Sequence, residues 1–303
     1  MRNVESGIYL FVCLLLACVC VFAKKPVEPT IVATSIPALE CLAKEILKGT
    51  PISVVNPFGN EISIDELDGI CKEFEMELDT LSSKIAAVID IRSVIPNDRL
   101  FIHIRYRNIK AVEIDCANPS SPVITAIGKI KKDNGEINPF VWLSLSNSIR
   151  IAEVLESDLS ALFPKYAKTI SANLSEFKKN INNIRNDFVR RFLEFDNFNA
   201  VCFSDDFDYM LKDIDLFIVE KFPPEYDWDK ETAAKFENLL ENQQISTVIC
   251  KWEAGSPAAE IMDKFGIKES VLKTGFPAER GFENGFLEFW KENAAAILNA
   301  ISK

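Results

Sequence analysis

The chain has 303 residues, with 34 lysines and arginines against 45 aspartates and glutamates, a formal net charge of −11. That acidity argues against nucleic acid or an anionic membrane surface as the partner. A hydrophobic content of 48% with 26% charged residues is that of an ordinary globular protein, with room for one large domain or two of about 120–150 residues. Met1 to Ala23 read as an export signal: Arg2 stands before an apolar run, Ile8 to Phe22, too short for a comfortable membrane span. Val21-Phe22-Ala23 suits a signal peptidase cut. Leu15-Leu16-Ala17-Cys18 offers a competing one that would leave Cys18 as a lipidated N-terminus. Either reading places the protein outside the cytoplasm. Beyond the signal, Cys41, Cys71, Cys116, Cys202 and Cys250 are scattered without a C-x-x-C pair, so zinc-finger spacing is absent. Cys202 and Cys250 sit in apolar runs and are expected to be buried thiols.

In chain order, Thr30–Thr34 reads as a buried strand, and Ser35 as the cap of a helix that Gly49 ends. Ile52–Asn56 is a second strand and Ile64–Leu78 a helix, followed by strands at Ala86–Asp90 and Ala111–Asp115. Between these last two, Arg99–Arg107 alternates apolar and polar residues, which predicts a half-exposed strand carrying His103, the single histidine. Ala117–Asn138 is turn-rich loop. Ser146–Leu162 is a helix, and Pro164 opens a longer one. In that second helix Tyr166, Ile170, Leu174, Phe177, Ile181, Ile184, Phe188 and Phe192 form one apolar stripe. Run to Phe195, it would measure roughly 45 Å, enough to act as a strut between lobes. The βα alternation then restarts. Strands fall at Ala200–Phe203, Leu216–Val219, Ser246–Cys250 and Ser270–Leu272, with helices at Trp228–Asn242, after Ser256-Pro257 to Gly266, and at Asn284–Ile301. Continuous apolar strands in βα alternation predict mostly parallel sheets covered on both faces.

Asn138-Pro139-Phe140-Val141-Trp142-Leu143, with Ser146-Asn147 behind it, resembles the [DN]-P-H-x-W-x-[DS] motif of the substrate-binding proteins of zinc and manganese ABC transporters. Thr30 to Ser35 resembles that family's first strand and turn. Ala200 to Tyr209 resembles its F-H-[DE]-x-F-x-Y segment, and Asn293 to Ile301 fits its last helix. The resemblance implies an α/β protein of two lobes, each a mostly parallel sheet flanked by helices, joined by one long rigid helix. The expected division is 1–23 signal, 24–163 N-terminal lobe, 164–195 linking helix and 196–303 C-terminal lobe. It also implies a divalent metal, zinc or manganese, gripped in the cleft between the lobes, delivery of that ligand to a membrane permease, and a monomer at the periplasm or cell surface.

The four places where the resemblance puts metal-binding side chains are all altered. The loop after the second strand carries Asn60 and Glu61 where a histidine is expected. Phe140 takes the histidine place of the motif, Ser204 the next, and Lys273 the place of a terminal acid. Phenylalanine has no lone pair, a serine hydroxyl is a poor ligand, and an ammonium repels a divalent cation, so a histidine-type zinc site is expected to be lost. Asp205 and Asp206 are candidate carboxylate ligands, with Glu61, Glu253 and Glu279 also near strand ends. An oxygen-rich set of this kind suits manganese, magnesium or calcium better than zinc. Lys273 could instead hold an anionic group or pair with Asp205 or Glu61, with Phe140 and Trp252 lining an apolar pocket. No catalytic motif stands out: there is no G-x-S-x-G, P-loop or G-x-G-x-x-G, and one histidine cannot make H-E-x-x-H, so no enzymatic activity is expected. The leading expectation is an exported solute-binding protein. The alternative is a receptor fold that binds a non-metal small molecule or serves as a surface interaction module.

Overall fold

The computed structural model describes residues 30–59, 62–132, 134–276 and 282–301. The signal segment, Cys18, Asn60, Glu61 and Glu279 therefore lie outside the described residues. The N-terminal lobe is a parallel sheet of β1 (Ile31–Ala33), β2 (Ser53–Val55), β3 (Ile85–Asp90) and β4 (Val112–Asp115), in the order β2-β1-β3-β4. The C-terminal lobe repeats the plan with β5 (Asn199–Cys202), β6 (Phe217–Lys221), β7 (Thr247–Cys250) and β8 (Glu269–Val271), ordered β6-β5-β7-β8. Every pairing between these strands is parallel, as buried βα units require. In each sheet the chain order reverses between the first and third strands. Crevices for ligands open at such points, beyond the carboxyl ends of the strands.

The helices are α1 (Pro37–Leu47), α2 (Ile70–Glu73), α3 (Glu75–Ser82), α4 (Leu100–Arg107), α5 (Leu145–Leu162) and α6 (Ala167–Phe192), followed by α7 (Asp208–Asp213), α8 (Lys230–Asn242), α9 (Ala258–Phe265) and α10 (Phe286–Ile301). The long helix α6 has 26 residues, preceded by a 3₁₀ turn at Pro164–Tyr166. It buries Ile170, Phe177, Ile181, Ile184, Phe188 and Phe192, the stripe that its three- and four-residue spacing predicts. It packs on α1 and α5 of the first lobe and on α10. One continuous core runs from the first lobe through α6 and α10 to Ala200, Cys202 and Ile249 on the near face of the second sheet. A second core, with Phe203, Phe222 and Phe236, fills the far face under α8 and α9. The lobes are thus held against one strut and share apolar packing.

Several local expectations are corrected. Residues Leu100–Arg107 form helix α4, not a strand. Leu100 and Ile104, four apart, are buried and set the period, while Asp98 Oδ1 accepts the Leu100 N–H at 3.0 Å and steadies the first turn. The alternation over nine residues was coincidence with a helical i, i+4 pair. The predicted helix at Ile64–Leu78 breaks into a 3₁₀ turn at Ile64–Asp68 and the short helices α2 and α3, interrupted at Gly69 and Phe74. Ser35 is not the cap of α1: Pro37 starts that helix, and the Ser35 hydroxyl donates to Asp98 instead. Ser144, not Ser146, caps α5 by accepting the Asn147 N–H at 3.0 Å. Asp229 caps α8, accepting from Thr232 N at 2.8 Å. Gly266 ends α9 in the left-handed region at φ 69°. Gly275 has φ 74°, and a Cβ there would collide with the Phe282 ring, so only glycine fits. Cys202 and Cys250 are buried free thiols, and burial pushes the Cys202 thiol up to about 12.

Candidate functional site

The ends of β5 and β7 flank the order reversal of the C-terminal sheet. β5 ends at Cys202, and Ser204 then caps a 3₁₀ turn at Asp205–Phe207, its hydroxyl accepting from Asp206 N at 3.1 Å. β7 ends at Cys250, so Lys251 is the first residue beyond the strand. Strands laid down in parallel therefore bring Ser204, Asp206 and Lys251 to one edge.

The opposing wall comes from the first lobe, residues 137–143. Asn138 is fully buried and fixes both chains. Its Nδ2 donates to the Asp205 carbonyl at 2.6 Å, and its Oδ1 accepts the Phe140 N–H at 3.0 Å. Tyr209 OH donates to the Asn138 carbonyl at 3.1 Å and accepts from Ile130 N at 2.9 Å. Trp142, also fully buried, donates from Nε1 to the Thr274 carbonyl at 2.8 Å. Phe140 stands edge-on to Trp142 with ring centres 5.5 Å apart. In this chain, then, the N-P-x-x-W segment staples the first lobe to the two loops that follow β5 and β8.

Charges in the cleft are matched pair by pair. Lys221 Nζ lies 2.8 Å from Asp205 and 2.7 Å from Asp208. Burial works against the Lys221 ammonium, but its hydrogen bonds to these two carboxylates outweigh that and push it up to about 12. Asp206 is held on both oxygens, by Lys251 Nζ at 2.8 Å and by Lys132 Nζ of the first lobe at 3.6 Å. The Lys251 ammonium also sits 5.6 Å from the centre of the Phe140 ring and 5.8 Å from that of Trp252. Of the options open to Lys273, pairing with Asp205 is not what forms. Its Nζ lies 2.7 Å from Glu292 on α10, and Asn293 clamps its backbone, accepting from N at 2.8 Å and donating to O at 3.0 Å. The hydrogen bond from Lys273 lowers Glu292 below the usual carboxylate range. Asp205 pairs instead with Lys221, at the end of the neighbouring strand β6.

The first lobe has its own polar cluster at the matching strand ends. Asp90 at the end of β3 is buried beside Asp115 in register on β4. Burial, with repulsion from Asp98, pushes Asp90 up to about 8. Arg92 pairs with Glu113 at 2.5 Å. Asp98 is buried and raised by the same desolvation, against the hydrogen bonds from Ser35 and Leu100 N.

The structure thus brings Phe140, Ser204, Asp205 and Asp206 to one cleft and turns the Lys273 side chain to α10. Lys251, Lys132, Lys221 and Asn138 are the members that the sequence reading missed. A signal for Lys251 existed: it directly follows a buried strand, where ligand-facing residues of open sheets fall. Among the described residues no group of three histidine, cysteine, aspartate or glutamate side chains could hold a metal ion. The donors present do not fit histidine-held zinc: at the motif positions stand a ring and a hydroxyl, and each nearby carboxylate already carries an ammonium.

Twin parallel sheets, a long helix between them and polar contacts joining the lobes near the strand ends are the plan of a two-lobed solute-binding receptor. The chain belongs to the ZnuA family, zinc-uptake complex component A, periplasmic, whose model matches residues 71–300. No curated protein matches it in sequence. Among solved structures it is similar to the cadmium-bound periplasmic metal binding protein from Candidatus Liberibacter asiaticus, at 14% identity and TM-score 0.68 over 90% of this chain and 99% of that one. The Zn(II)-bound ZnuA-like domain of Streptococcus pneumoniae AdcA gives 16% and 0.67 over 91% and 100%. A crystal structure of ZnuA gives 17% and 0.64 over 91% and 100%. At these identities the likeness speaks for the fold alone.

Proposed function

We propose that this protein is the extracytoplasmic ligand-capturing component of an ABC uptake system, holding its ligand in the cleft between lobes divided at 163 and 196 and presenting it to a membrane permease. Family membership over residues 71–300 carries the reading. The order reversal in each sheet, the kind of place where open α/β sheets take ligands, supports it. The family ligand is zinc or manganese, but the paired carboxylates and the aromatic ring at position 140 favour a cargo other than a histidine-held metal. Among the described residues no helix is long and apolar enough to cross a membrane. The protein acts as a monomer and performs no catalysis. Capture from detergent-solubilised membranes of the source cells should bring down a permease. A thermal-shift screen of divalent metals, amino acids and carboxylates should find one that raises the midpoint. Failure of both would sink the reading.

A second reading, a receptor fold kept as a surface interaction module, is favoured by the direct stapling of the lobes. Trp142 to Thr274 and Asn138 to Asp205 join them through direct hydrogen bonds. A folded protein that binds no small ligand but captures a surface protein would select it.

A further inference from the structure

Building on the receptor reading, we propose that Lys251 is the specificity-determining residue of the cleft: its ammonium is a resident cation that stands where a captured metal would be gripped and excludes divalent ions.

Four observations carry this. First, Lys251 follows β7 directly and so sits at the order reversal of the second sheet, where the crevice opens. Second, its Nζ touches both walls. It is 2.8 Å from Asp206 of the second lobe and 5.6 Å from the centre of the Phe140 ring of the first. Third, Asp206 is joined to Ser204 through the 3.1 Å bond from Asp206 N to Ser204 Oγ. The ammonium therefore lies beside the Phe140 position and is linked through Asp206 to the Ser204 position, the two places at which zinc receptors of this kind are expected to place histidines. Fourth, the environment suits a monovalent organic cation and not a bare metal. A phenyl face attracts an ammonium but offers no lone pair, and the Asp206 carboxylate is already shared by Lys251 and by Lys132, the latter 3.6 Å away. The lysine needs no desolvated entry path, because its stem is part of the wall. A divalent ion would have to displace Lys251 from Asp206 and then sit beside two ammonium groups.

The test compares zinc binding, by calorimetry on chelator-treated full-length protein, across three variants. Phe140→His with Ser204→His rebuilds the donors but keeps Lys251. A second variant adds Lys251→Ala, and a third adds Lys251→Arg instead. The second should bind one zinc at least 100-fold more tightly than the first, and the third should behave as the first does. Equal zinc affinity with and without Lys251, or no zinc binding by the Lys251→Ala variant while it keeps the wild-type far-ultraviolet dichroism, would overturn the proposal. A measurement on the unaltered chain is independent of how those variants fold. In lysine-labelled protein, the Lys251 ε-methylene resonance should be shifted upfield by the Phe140 and Trp252 rings, and ten equivalents of zinc should leave it in place. A stoichiometric zinc-dependent move of that resonance would also overturn it. Either failure leaves the receptor reading intact, since permease capture is read separately from membranes.

Discussion

The two lobes share one strand order yet treat charge at their strand ends in opposite ways. In the first, Asp90 and Asp98 are buried and burial raises both, Asp90 to about 8 with repulsion from Asp98 adding to it, while the charge of Arg92, paired with Glu113, opposes the rise only at Asp98. In the second, Asp205, Asp206 and Asp208 each meet an ammonium from Lys221 or Lys251. The same backbone plan thus gives buried acids raised by desolvation in one lobe and a compensated ion network in the other. Fold decides where polar groups converge, and the residue types decide whether protons or lysines cancel their charge.

The comparison is broken most severely where the lobes meet. Trp142→Ala removes a fully buried indole and its bond to the Thr274 carbonyl, and should cost about 3–5 kcal/mol. A urea midpoint lowered in proportion checks it; an unchanged midpoint would mean that the staple adds nothing.

Next comes the pH response of the first lobe. Folded Asp90, pushed up to about 8, holds its proton at neutral pH, whereas the unfolded carboxyl loses it near 4. The folded state binds the extra proton across that window. The share of stability linked to Asp90 is therefore greatest below about pH 4 and falls as pH rises toward 8. Asp90→Asn should remove that share of the slope, up to about 1.4 kcal/mol per pH unit, and so gain on the wild type between pH 5 and pH 8. Denaturation curves at those two values decide it, and parallel behaviour of the two proteins would contradict the assignment.

In the second lobe the charges are compensated, so removing one should matter less. Lys251→Ala leaves Asp206 with only Lys132 and should cost about 1–2 kcal/mol, a loss that shrinks in high salt. At the surface, Arg190→Ala breaks an exposed pair with Asp187 one helical turn away and should change stability by less than about 0.5 kcal/mol.

The architecture was legible in the sequence because it rests on long-range periodicity. The stripe from Ile170 to Phe192 could only be one long helix, and short apolar runs such as Thr247–Cys250 between helical stretches could only be parallel strands. What failed was short-range. Arg99–Arg107 is too brief for a period of 2 to be told from one of 3.6, and the helix won because Leu100 and Ile104 share one buried face. Caps slid by a residue or two, as Ser35 did when its hydroxyl found Asp98 rather than a helix end. At the cleft, Phe140 and Ser204 could be placed from their motifs. Lys251 and Lys132 could not, because nothing local says that residues 119 positions apart will share Asp206. Nor did any local signal point to Glu292 as the partner of Lys273, since the two meet through the packing of α10 against β8.

The claim that the cleft already contains its own cation is tested most directly by titrating zinc into chelator-treated wild-type protein. The account predicts no stoichiometric heat and no metal retained after dialysis. One equivalent of zinc held at nanomolar strength, with Lys251 driven away from Asp206, would contradict it.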